Sequence, residues 1–163
     1  KMHVSVSSKE ERLENVPPEL IDLGRVGEVT KINGEVLKTL KREDFIPVIA
    51  PVGVGEDGQA YNINADLVAG AIAGALNAEK LILLTDVEGV KDKNGALIRS
   101  LHHDDLDGLI EEGTIAGGMI PKVNCCRDAL EKGARKTYIV DGRLEHAILL
   151  EMFTHEGVGT EII

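Results

Sequence analysis

Runs of apolar residues along the chain predict a series of short strands. Residues 46–52, 80–87 and 137–140 are almost continuously apolar, the pattern of strands that are buried on both faces of a sheet. Alternating apolar and polar residues over 2–6 predict a half-buried strand, and residues 159–163 have a β-like pattern. We therefore expect a sheet whose middle strands are covered on both sides.

Helical patterns lie between these strands. Asn33 is a natural N-cap for a helix over about 34–42, and Asn64 is one for the small-residue helix that follows it. In that second helix Gly70 and Gly74 lie four residues apart, which allows another backbone to pack closely. Three further helices are expected over about 104–112, 122–132 and 144–153.

The remaining segments are predicted to be loops and strand ends. Residues 7–18 are charged and end in two prolines, residues 21–30 suggest strand ends joined by a turn, and Gly53–Gly58 (GVGEDG) is interpreted as a turn. A further strand is expected over 96–101. Alternating strands and helices indicate an α/β fold, with a mostly parallel sheet sandwiched by helices.

Composition narrows the classes of function. The chain has 163 residues, enough for one domain or two small lobes, and a formal net charge of −10. Such a surface repels nucleic-acid phosphates and anionic membranes, and two Tyr, two Phe and no Trp offer little for stacking bases. No apolar run reaches 18 residues, and the polar start over 1–20 is unlike a signal peptide. We expect no nucleic-acid or membrane partner.

Two adjacent cysteines, Cys125 and Cys126, cannot form a disulfide framework. They predict reduced, half-buried thiols in a cytoplasmic protein. The chain starts with Lys1 before Met2, so we expect it to be a piece of a longer protein.

Polar residues stand where a parallel sheet places its ligands, at the carboxyl ends of strands and the starts of helices. Asn62 and Asp66 flank the predicted cap Asn64, and capping alone could explain Asn64 and Asp66. Because Asn62 lies outside the helix, it favours a functional interpretation. Thr85 and Asp86 end a buried strand, where a carboxylate can bind a ribose, a base or a cation, although a simple strand-ending turn explains them as well.

A glycine-bearing loop precedes the predicted helix at 122–132. Gly117 and Gly118 allow backbone N–H groups to approach an anion, and Pro121 suits a first helical turn. Lys122 is unfavourable at the positive end of a helix, so it is placed to meet an anion or else points to solvent. Taken together, these features indicate a cleft that handles phosphate groups.

Other motifs give no metal or nucleophile site. The G-x-x-x-x-G-K-[ST], H-E-x-x-H and C-x-x-C patterns do not occur. Residues 102–105 (HHDD) are interpreted as a cap and a solvated face rather than as metal ligands. His146 and Glu151 are either ligands or the wet side of an amphipathic helix. We expect no metal-binding residues.

Five segments together resemble the N-acetylglutamate kinases of the amino acid kinase family, over Ile21–Ile163: IDLGRVGEV, PVIAPVGVGEDGQAYNINAD, KLILLTDVEGV, EEGTIAGGMIPKV and LLEMFTHEGVGTEII. The resemblance implies the carbamate kinase-like fold of that family, with residues 21–163 as the C-terminal, ATP-binding lobe. Residues 1–20 would be a remnant strand and loop from the central region. The family's N-terminal acceptor lobe, with its Lys-x-Gly-Gly and His-Gly-Gly-Gly motifs, would be absent.

By this resemblance, the parent protein transfers the γ-phosphoryl group of ATP, with Mg²⁺, to the side-chain carboxylate of N-acetyl-L-glutamate in arginine biosynthesis. Asn62 would bind the acceptor, Asp66 would organise the catalytic lysines, and Lys122 would neutralise the transferring group. The implied nucleotide-binding residues are Thr85, Asp86, Val87, Glu88, Gly89, Val90, Lys91, Thr114, Ile115, Ala116 and Met119. We expect the fragment alone to be inactive.

The ending also resembles the arginine-inhibited members of the family. Glu151 and Gly157 would then contact an L-arginine effector, although Tyr138 stands where those members often have a histidine. The parent would be a homo-oligomer. Two alternatives stay open: another amino acid kinase, acting on aspartate, uridylate or carbamate, or a non-enzymatic module that senses ATP or arginine.

Overall fold

A computed structural model describes the backbone of residues 3–5 and the whole of residues 24–155 and 157–163. The chain divides into two compact units, Lys1–Val68 and Ala69–Ile163. Part of the predicted strand at 2–6 is present as β1, His3–Ser5, whereas its two end residues and the predicted loop at 7–18 lie outside the described residues.

The first unit contains a four-stranded mixed sheet with the strand order β2-β1-β3-β4. β1 is antiparallel to β2 and parallel to β3, and β3 is antiparallel to β4. The remaining elements of this unit are β2 (Glu28–Lys31), α1 (Gly34–Arg42), β3 (Val52–Gly55), β4 (Ala60–Asn62) and the start of α2 (Ala65–Ala75).

Helix α1 has the predicted bounds, and its ends show why. The side chain of Asn33 accepts a hydrogen bond from the backbone N–H of Glu35 at 3.2 Å, which caps the first turn. Glu35 lies at the positive end of the helix dipole, while Lys41 and Arg42 lie in the last turn. The cap and the charges therefore define this helix locally.

The segment 53–58 matches the letters of the dinucleotide-binding fingerprint G-x-G-x-x-G, but residues 53–55 belong to β3 and only residues 56–58 lie in the turn of the β3–β4 hairpin, which is shorter than predicted. That fingerprint requires a helix after the turn, and here a strand follows. A Cβ at Gly55 would lie 2.6 Å from the ring of Tyr61, whose hydroxyl donates to Asp57 at 2.8 Å. The glycine at this position serves hairpin packing.

The predicted buried strand at 46–52 is wrong. Only Val52 belongs to a strand, and residues 45–50 form no helix or strand. Ile46 is 90% exposed and Val48 is 96% exposed. An apolar run is buried only where other residues cover it, and none of the described residues covers these two side chains.

The second unit contains a four-stranded sheet with the order β5-β7-β8-β6. β5 and β7 are parallel, as are β8 and β6, whereas β7 and β8 are antiparallel. Its strands are β5 (Leu81–Thr85), β6 (Ser100–Leu101), β7 (Thr137–Asp141) and β8 (Thr160–Ile162), and its other helices are α3 (Leu106–Glu111), α4 (Met119–Glu131) and α5 (Ala147–Phe153).

Helices cover both faces of β7, as the apolar run at 137–140 predicts. The run at 80–87 forms β5, but the expected burial on both faces is wrong there, since Leu84 is 48% exposed and Val87 is exposed as well. Ile139 packs in the larger core cluster with residues of α4, such as Val123 and Ala129. Tyr138 and Val140 point to the opposite face and pack with Ala147 of α5. The alternation of side chains along the strand thus divides the apolar residues between two layers.

Helices α2 and α4 pack closely at the two glycines. A Cβ at Gly70 would lie 2.8 Å from the Sγ of Cys125, and one at Gly74 would lie 2.5 Å from the Cβ of Lys132. Cys125 and Cys126 are not joined in a disulfide, and they are fully buried in the core rather than half-buried. The close approach of α2 at Gly70 contributes to the burial of Cys125.

Several element bounds differ from the predicted ones. The strand expected at 96–101 is reduced to β6, and the helix expected at 104–112 is a 3₁₀ turn, His103–Asp105, followed by α3. The helix expected from 144 begins at Ala147, because His146 adopts a left-handed conformation with φ 58°. Among the described helices, none has the length and apolar character needed to cross a bilayer.

Candidate functional site

In the first unit, Asn62 ends strand β4 directly before helix α2. Its backbone is held on both sides, since its N–H donates to the carbonyl of Arg25 at 2.8 Å and its carbonyl accepts from Gly27 at 2.9 Å. The side chain of Asn62 is exposed. This residue therefore presents an amide to solvent from a fixed backbone.

Asn64 caps helix α2, as predicted. Its Oδ1 accepts from the backbone N–H groups of Asp66 at 2.9 Å and Leu67 at 3.3 Å. Asp66 is half-buried in the first turn. Asn64 caps the helix, so capping does not account for the carboxylate of Asp66 or the amide of Asn62. Both side chains therefore remain candidate ligand-binding groups.

In the second unit, the carboxyl ends of β5 and β7 meet at one edge of the sheet. Thr85 is aligned with Asp141, and the N–H of Gly142 donates to the carbonyl of Thr85 at 2.8 Å. Asp86 follows Thr85, is exposed, and accepts a hydrogen bond of 3.3 Å from its hydroxyl. This edge is where a parallel sheet binds its ligands.

The same edge carries an ion pair that the sequence patterns did not single out. Arg143 donates to both carboxylate oxygens of Asp141, at 2.9 and 2.8 Å. These bonds, with the backbone N–H of Arg143, lower the pKa of Asp141 to about 2. The pKa of Arg143 is raised by that hydrogen bond and by the charges of Asp141, Asp86 and Glu88. A fixed guanidinium thus stands among carboxylates.

The loop after β5 is half exposed and half buried. Asp86, Val87 and Glu88 are exposed, whereas Gly89 and Val90 are buried. Lys91 pairs with Glu88 across this loop at 2.9 Å. Any nucleotide contact by the two buried residues must therefore use their backbone, and contact by side chains is restricted to the exposed ones.

The glycine-bearing loop leads into α4 three residues earlier than predicted. The helix begins at Met119, so Lys122 lies within its first turn rather than at its start, and is half-buried. The N–H of Met119 donates to the carbonyl of Ala116, and that of Ile120 donates to the carbonyl of Gly117, both at 3.2 Å. These bonds extend the helical path back into the loop and explain the earlier start.

The predicted nucleotide segments 85–91 and 114–119 both contribute residues to the core of this unit. Val90, Ile115 and Met119 pack in the same core cluster. Beyond the loops, Lys93 pairs with Glu112 at 3.1 Å. Ile115 is 1% exposed, and its N–H donates to the carbonyl of Leu109. Thr114, half-buried, and Ala116, exposed, are the more accessible residues of the second segment.

Sequence comparisons decide the family. The profile of the Amino acid kinase family matches residues 3–141. The chain belongs to the amino acid kinase family. It is 73% identical over 146 residues to the acetylglutamate kinase of Desulfotalea psychrophila, a match that covers 90% of this chain and 49% of the relative. The acetylglutamate kinase of Geobacter sulfurreducens is 62% identical over 154 residues, covering 94% and 53% of the two chains.

Solved structures show the fold of this amino acid kinase family member. N-acetylglutamate synthase from Neisseria gonorrhoeae aligns with a TM-score of 0.82 at 24% identity, over 99% of this chain and 36% of that one. Giardia carbamate kinase aligns with a TM-score of 0.67 at 20% identity, over 99% and 60%. The expected carbamate kinase-like α/β fold is confirmed. The chain spans about half the length of the curated relatives it matches.

Glu151 and Gly157, the predicted effector residues, lie against each other in this family member. Oε2 of Glu151 accepts hydrogen bonds from the backbone N–H groups of Val158 at 2.7 Å and Gly159 at 3.0 Å. Gly157 has φ +61°, and a Cβ there would lie 2.7 Å from Oε1 of Glu151. Glu151 is therefore an internal anchor of this loop rather than part of a wet helix face.

Three histidines make polar contacts with neighbouring residues. His102 Nδ1 accepts from the backbone N–H of Asp104 at 3.4 Å, as the predicted cap requires. His103 Nδ1 lies 2.9 Å from the carbonyl oxygen of Ile163, and His146 is exposed beside Glu145. The ligand atoms of residues 102–104 lie within 4.8 Å of one another, on an exposed turn of this family member.

Residues 141–143 and Thr160 lie beside the candidate site and were not identified from the sequence. The rule that identified Thr85 and Asp86, a polar residue at the end of a buried strand, applies equally to Asp141 after the run 137–140. Thr160 gave no comparable signal, since its role depends on a partner 70 residues away.

Proposed function

We propose that the chain is the nucleotide-binding part of an N-acetylglutamate kinase. The parent enzyme would transfer the γ-phosphoryl group of ATP to the side-chain carboxylate of N-acetyl-L-glutamate. The observation that carries this proposal is the 73% identity to an acetylglutamate kinase over 90% of the chain. Such identity over both candidate site regions is far closer than family membership alone requires.

The residues of the second unit support nucleotide binding. The exposed loop residues Asp86–Glu88 and the segment Thr114–Met119 would hold ATP, and Lys122 in the first turn of α4 would approach its phosphates. A chain with a net charge of −10 needs local cations to accept a polyanionic nucleotide, and Lys122 would supply one, whereas Arg143 at the same sheet edge is already paired with Asp141. Lysine charges favour the transition state of phosphoryl transfer.

The chemistry requires positioning rather than a covalent enzyme intermediate. A carboxylate oxygen of the acceptor forms a bond to the γ-phosphorus while the bond to the β–γ bridging oxygen breaks, giving an acyl phosphate and ADP. Asn62 would hold the acceptor, and Asp66 would orient the lysines. Mg²⁺ would neutralise phosphate charge, and Asp86 supplies the exposed carboxylate oxygen that suits this ion.

Two other functions are weaker candidates. An aspartate, uridylate or carbamate kinase shares the fold, but the relatives at 58–73% identity are acetylglutamate kinases. A non-enzymatic module that senses ATP or arginine would keep the nucleotide edge without transferring phosphate. We also propose a cytoplasmic, homo-oligomeric parent, in line with its biosynthetic relatives and with two cysteines that are not joined in a disulfide. L-arginine at Glu151 and Gly157 stays a prediction.

Calorimetric titration with Mg²⁺ and a non-hydrolysable ATP analogue tests the nucleotide site. We expect Lys122→Ala to weaken binding by about 10-fold or more, because a charge-assisted contact to phosphate is lost. Lys132→Ala is the matched control: it removes a lysine from the other end of the same helix and should change the dissociation constant by less than about 2-fold. Equal affinities for the unsubstituted chain and Lys122→Ala would contradict the assignment.

A second titration tests the acceptor. With the ATP analogue present, N-acetyl-L-glutamate is compared with L-aspartate, uridylate and carbamate, each against the unsubstituted chain and Asn62→Ala. Preference for N-acetyl-L-glutamate that Asn62→Ala removes would support the proposed substrate. A preference for another acceptor would assign a different member of the family. We expect turnover by the chain alone to be very low, and normal turnover in a coupled assay would contradict that expectation.

A further inference from the structure

Thr160 is a fully buried polar residue with two long-range hydrogen bonds. Its hydroxyl accepts from the backbone N–H of Val90 at 2.9 Å and donates to the carbonyl of Ile98 at 2.7 Å. Burying a hydroxyl is costly unless it is hydrogen-bonded, and here both its donor and acceptor functions are used. The first residue of β8 is thereby attached to the loop that follows β5.

The hydroxyl completes a gap in the backbone pairing of this loop. The N–H of Ile98 donates directly to the carbonyl of Val90 at 2.9 Å, and residues 91 and 97 form an antiparallel bridge. In such a pair the reciprocal bond would run from the N–H of Val90 to the carbonyl of Ile98. The hydroxyl of Thr160 stands between these two groups and bonds to both.

Gly89 shows how closely the loop approaches Thr160. Its φ of +146° is a conformation that favours glycine, and a Cβ at this position would lie 2.5 Å from Oγ1 of Thr160 and 2.8 Å from Cδ1 of Leu97. The loop backbone therefore lies directly against the threonine. On the other side, Glu151 holds the N–H groups of Val158 and Gly159, so the segment that carries Thr160 is itself fixed.

We propose that Thr160 is a positioning residue for the nucleotide loop. It fixes the buried base of the loop, Gly89–Val90, and thereby the conformation of the exposed residues Asp86–Glu88. This inference rests on the proposed nucleotide function of that loop. Thr160 touches no nucleotide itself, and its effect on affinity passes through the backbone of Val90.

Three variants of the full chain test the proposal. Thr160→Val keeps the shape of the side chain and removes the hydroxyl, and Thr160→Ser keeps the hydroxyl. Thr137→Val is the matched control, because Thr137 is also fully buried in the same sheet and its hydroxyl bonds to β8, at the carbonyl of Ile162 over 3.1 Å, instead of to the loop. Two readouts are used: amide exchange at Val90 by NMR, and calorimetry with the Mg²⁺-bound ATP analogue.

We expect Thr160→Val to speed exchange at Val90 and to weaken nucleotide binding, each by about 10-fold, because a buried N–H loses its partner. Thr160→Ser should restore both to within about 3-fold. Thr137→Val should lower the urea midpoint without changing nucleotide affinity, which separates positioning from general destabilisation.

Unchanged exchange at Val90 in Thr160→Val would overturn the anchoring, whether or not nucleotide binds. Unchanged affinity in that variant, while the unsubstituted chain binds, would overturn the positioning role. Failure of the unsubstituted chain to bind nucleotide would overturn the proposed function instead, and exchange at Val90 would then decide the anchoring on its own.

Discussion

Two apolar runs of this chain, Ile46–Val52 and Thr137–Val140, have the same sequence pattern and opposite environments. The second forms strand β7, pairs with β5 and β8, and is covered by α4 and α5, so that all four of its residues are buried. In the first, Ile46 and Val48 are almost fully exposed and residues 46–50 form no strand. The difference shows that an apolar run favours burial but does not specify which other segments of the chain will cover it.

The largest effect is expected from truncating the covered run. Ile139 is fully buried between β5, β8 and α4, so Ile139→Ala should lower the free energy of unfolding by about 2–5 kcal/mol. Urea unfolding followed by circular dichroism measures the change. Ile139→Val, which removes one methyl group, should cost about 0.5–1.5 kcal/mol. A loss below about 0.5 kcal/mol for the alanine variant would mean that the two runs differ less than their burial indicates.

The next largest effect is expected at the close contact between helices α2 and α4 in the second unit. Gly74→Ala places a methyl group against Lys132, so it should destabilise the chain by about 1–3 kcal/mol. Gly108→Ala is the control: its Cβ would meet nothing within 4 Å in helix α3, and it should stabilise by about 0.5–1 kcal/mol. Thermal melts of both variants give the signs. Stabilisation by Gly74→Ala would show that the helices can separate freely.

A smaller, pH-dependent effect is expected at the β7–β8 edge. Burial alone raises the pKa of Glu161, but hydrogen bonds from Lys136 and Tyr138 outweigh it and lower the pKa below its ordinary value of 4.5. Below pH 4.5 the unfolded state therefore binds more protons, and this contribution to stability is lost as the pH falls through the lowered pKa. Above pH 4.5 it is fully present.

Glu161→Gln should accordingly lower the free energy of unfolding by about 0.5–1 kcal/mol at pH 7, with the difference vanishing toward pH 3. Urea midpoints measured from pH 7 to pH 3 test this. Glu35→Gln in α1 breaks the exposed pair with Lys38, whose partners are 50% and 72% exposed, and should have a smaller effect at pH 7. A difference for Glu161→Gln that grows as the pH falls would contradict the sign.

The smallest effect is expected in the exposed run. Val48 is 96% exposed, so Val48→Ser should change the free energy of unfolding by less than about 0.5 kcal/mol. The same urea experiment measures it beside Ile139→Ala. A loss of several kcal/mol would show that residues 46–52 are covered in solution, and that the two runs are alike after all.

The candidate site was predictable where each residue depends on its own segment. Asn64 caps α2 as predicted, and Thr85 ends strand β5 at the carboxyl edge of the sheet, as predicted. The start of α4 was predicted three residues late, because carbonyls of Ala116 and Gly117 accept helical bonds that no side-chain cap announces. Arg143 was missed although the strand-end rule applied to its neighbour Asp141.

The sequence alone determined several local features, namely the helix caps Asn33 and Asn64, the strands β5 and β7, and the glycine spacing of α2. These features depend on residues a few positions apart, so side chains that are neighbours in the sequence largely determine whether they form. Only the tertiary structure decided that Thr160 closes the loop at Val90, 70 residues earlier, and that Ile46 and Val48 are uncovered. Such outcomes depend on which distant segments come into contact, and the residue pattern of one segment does not identify the segment that packs against it.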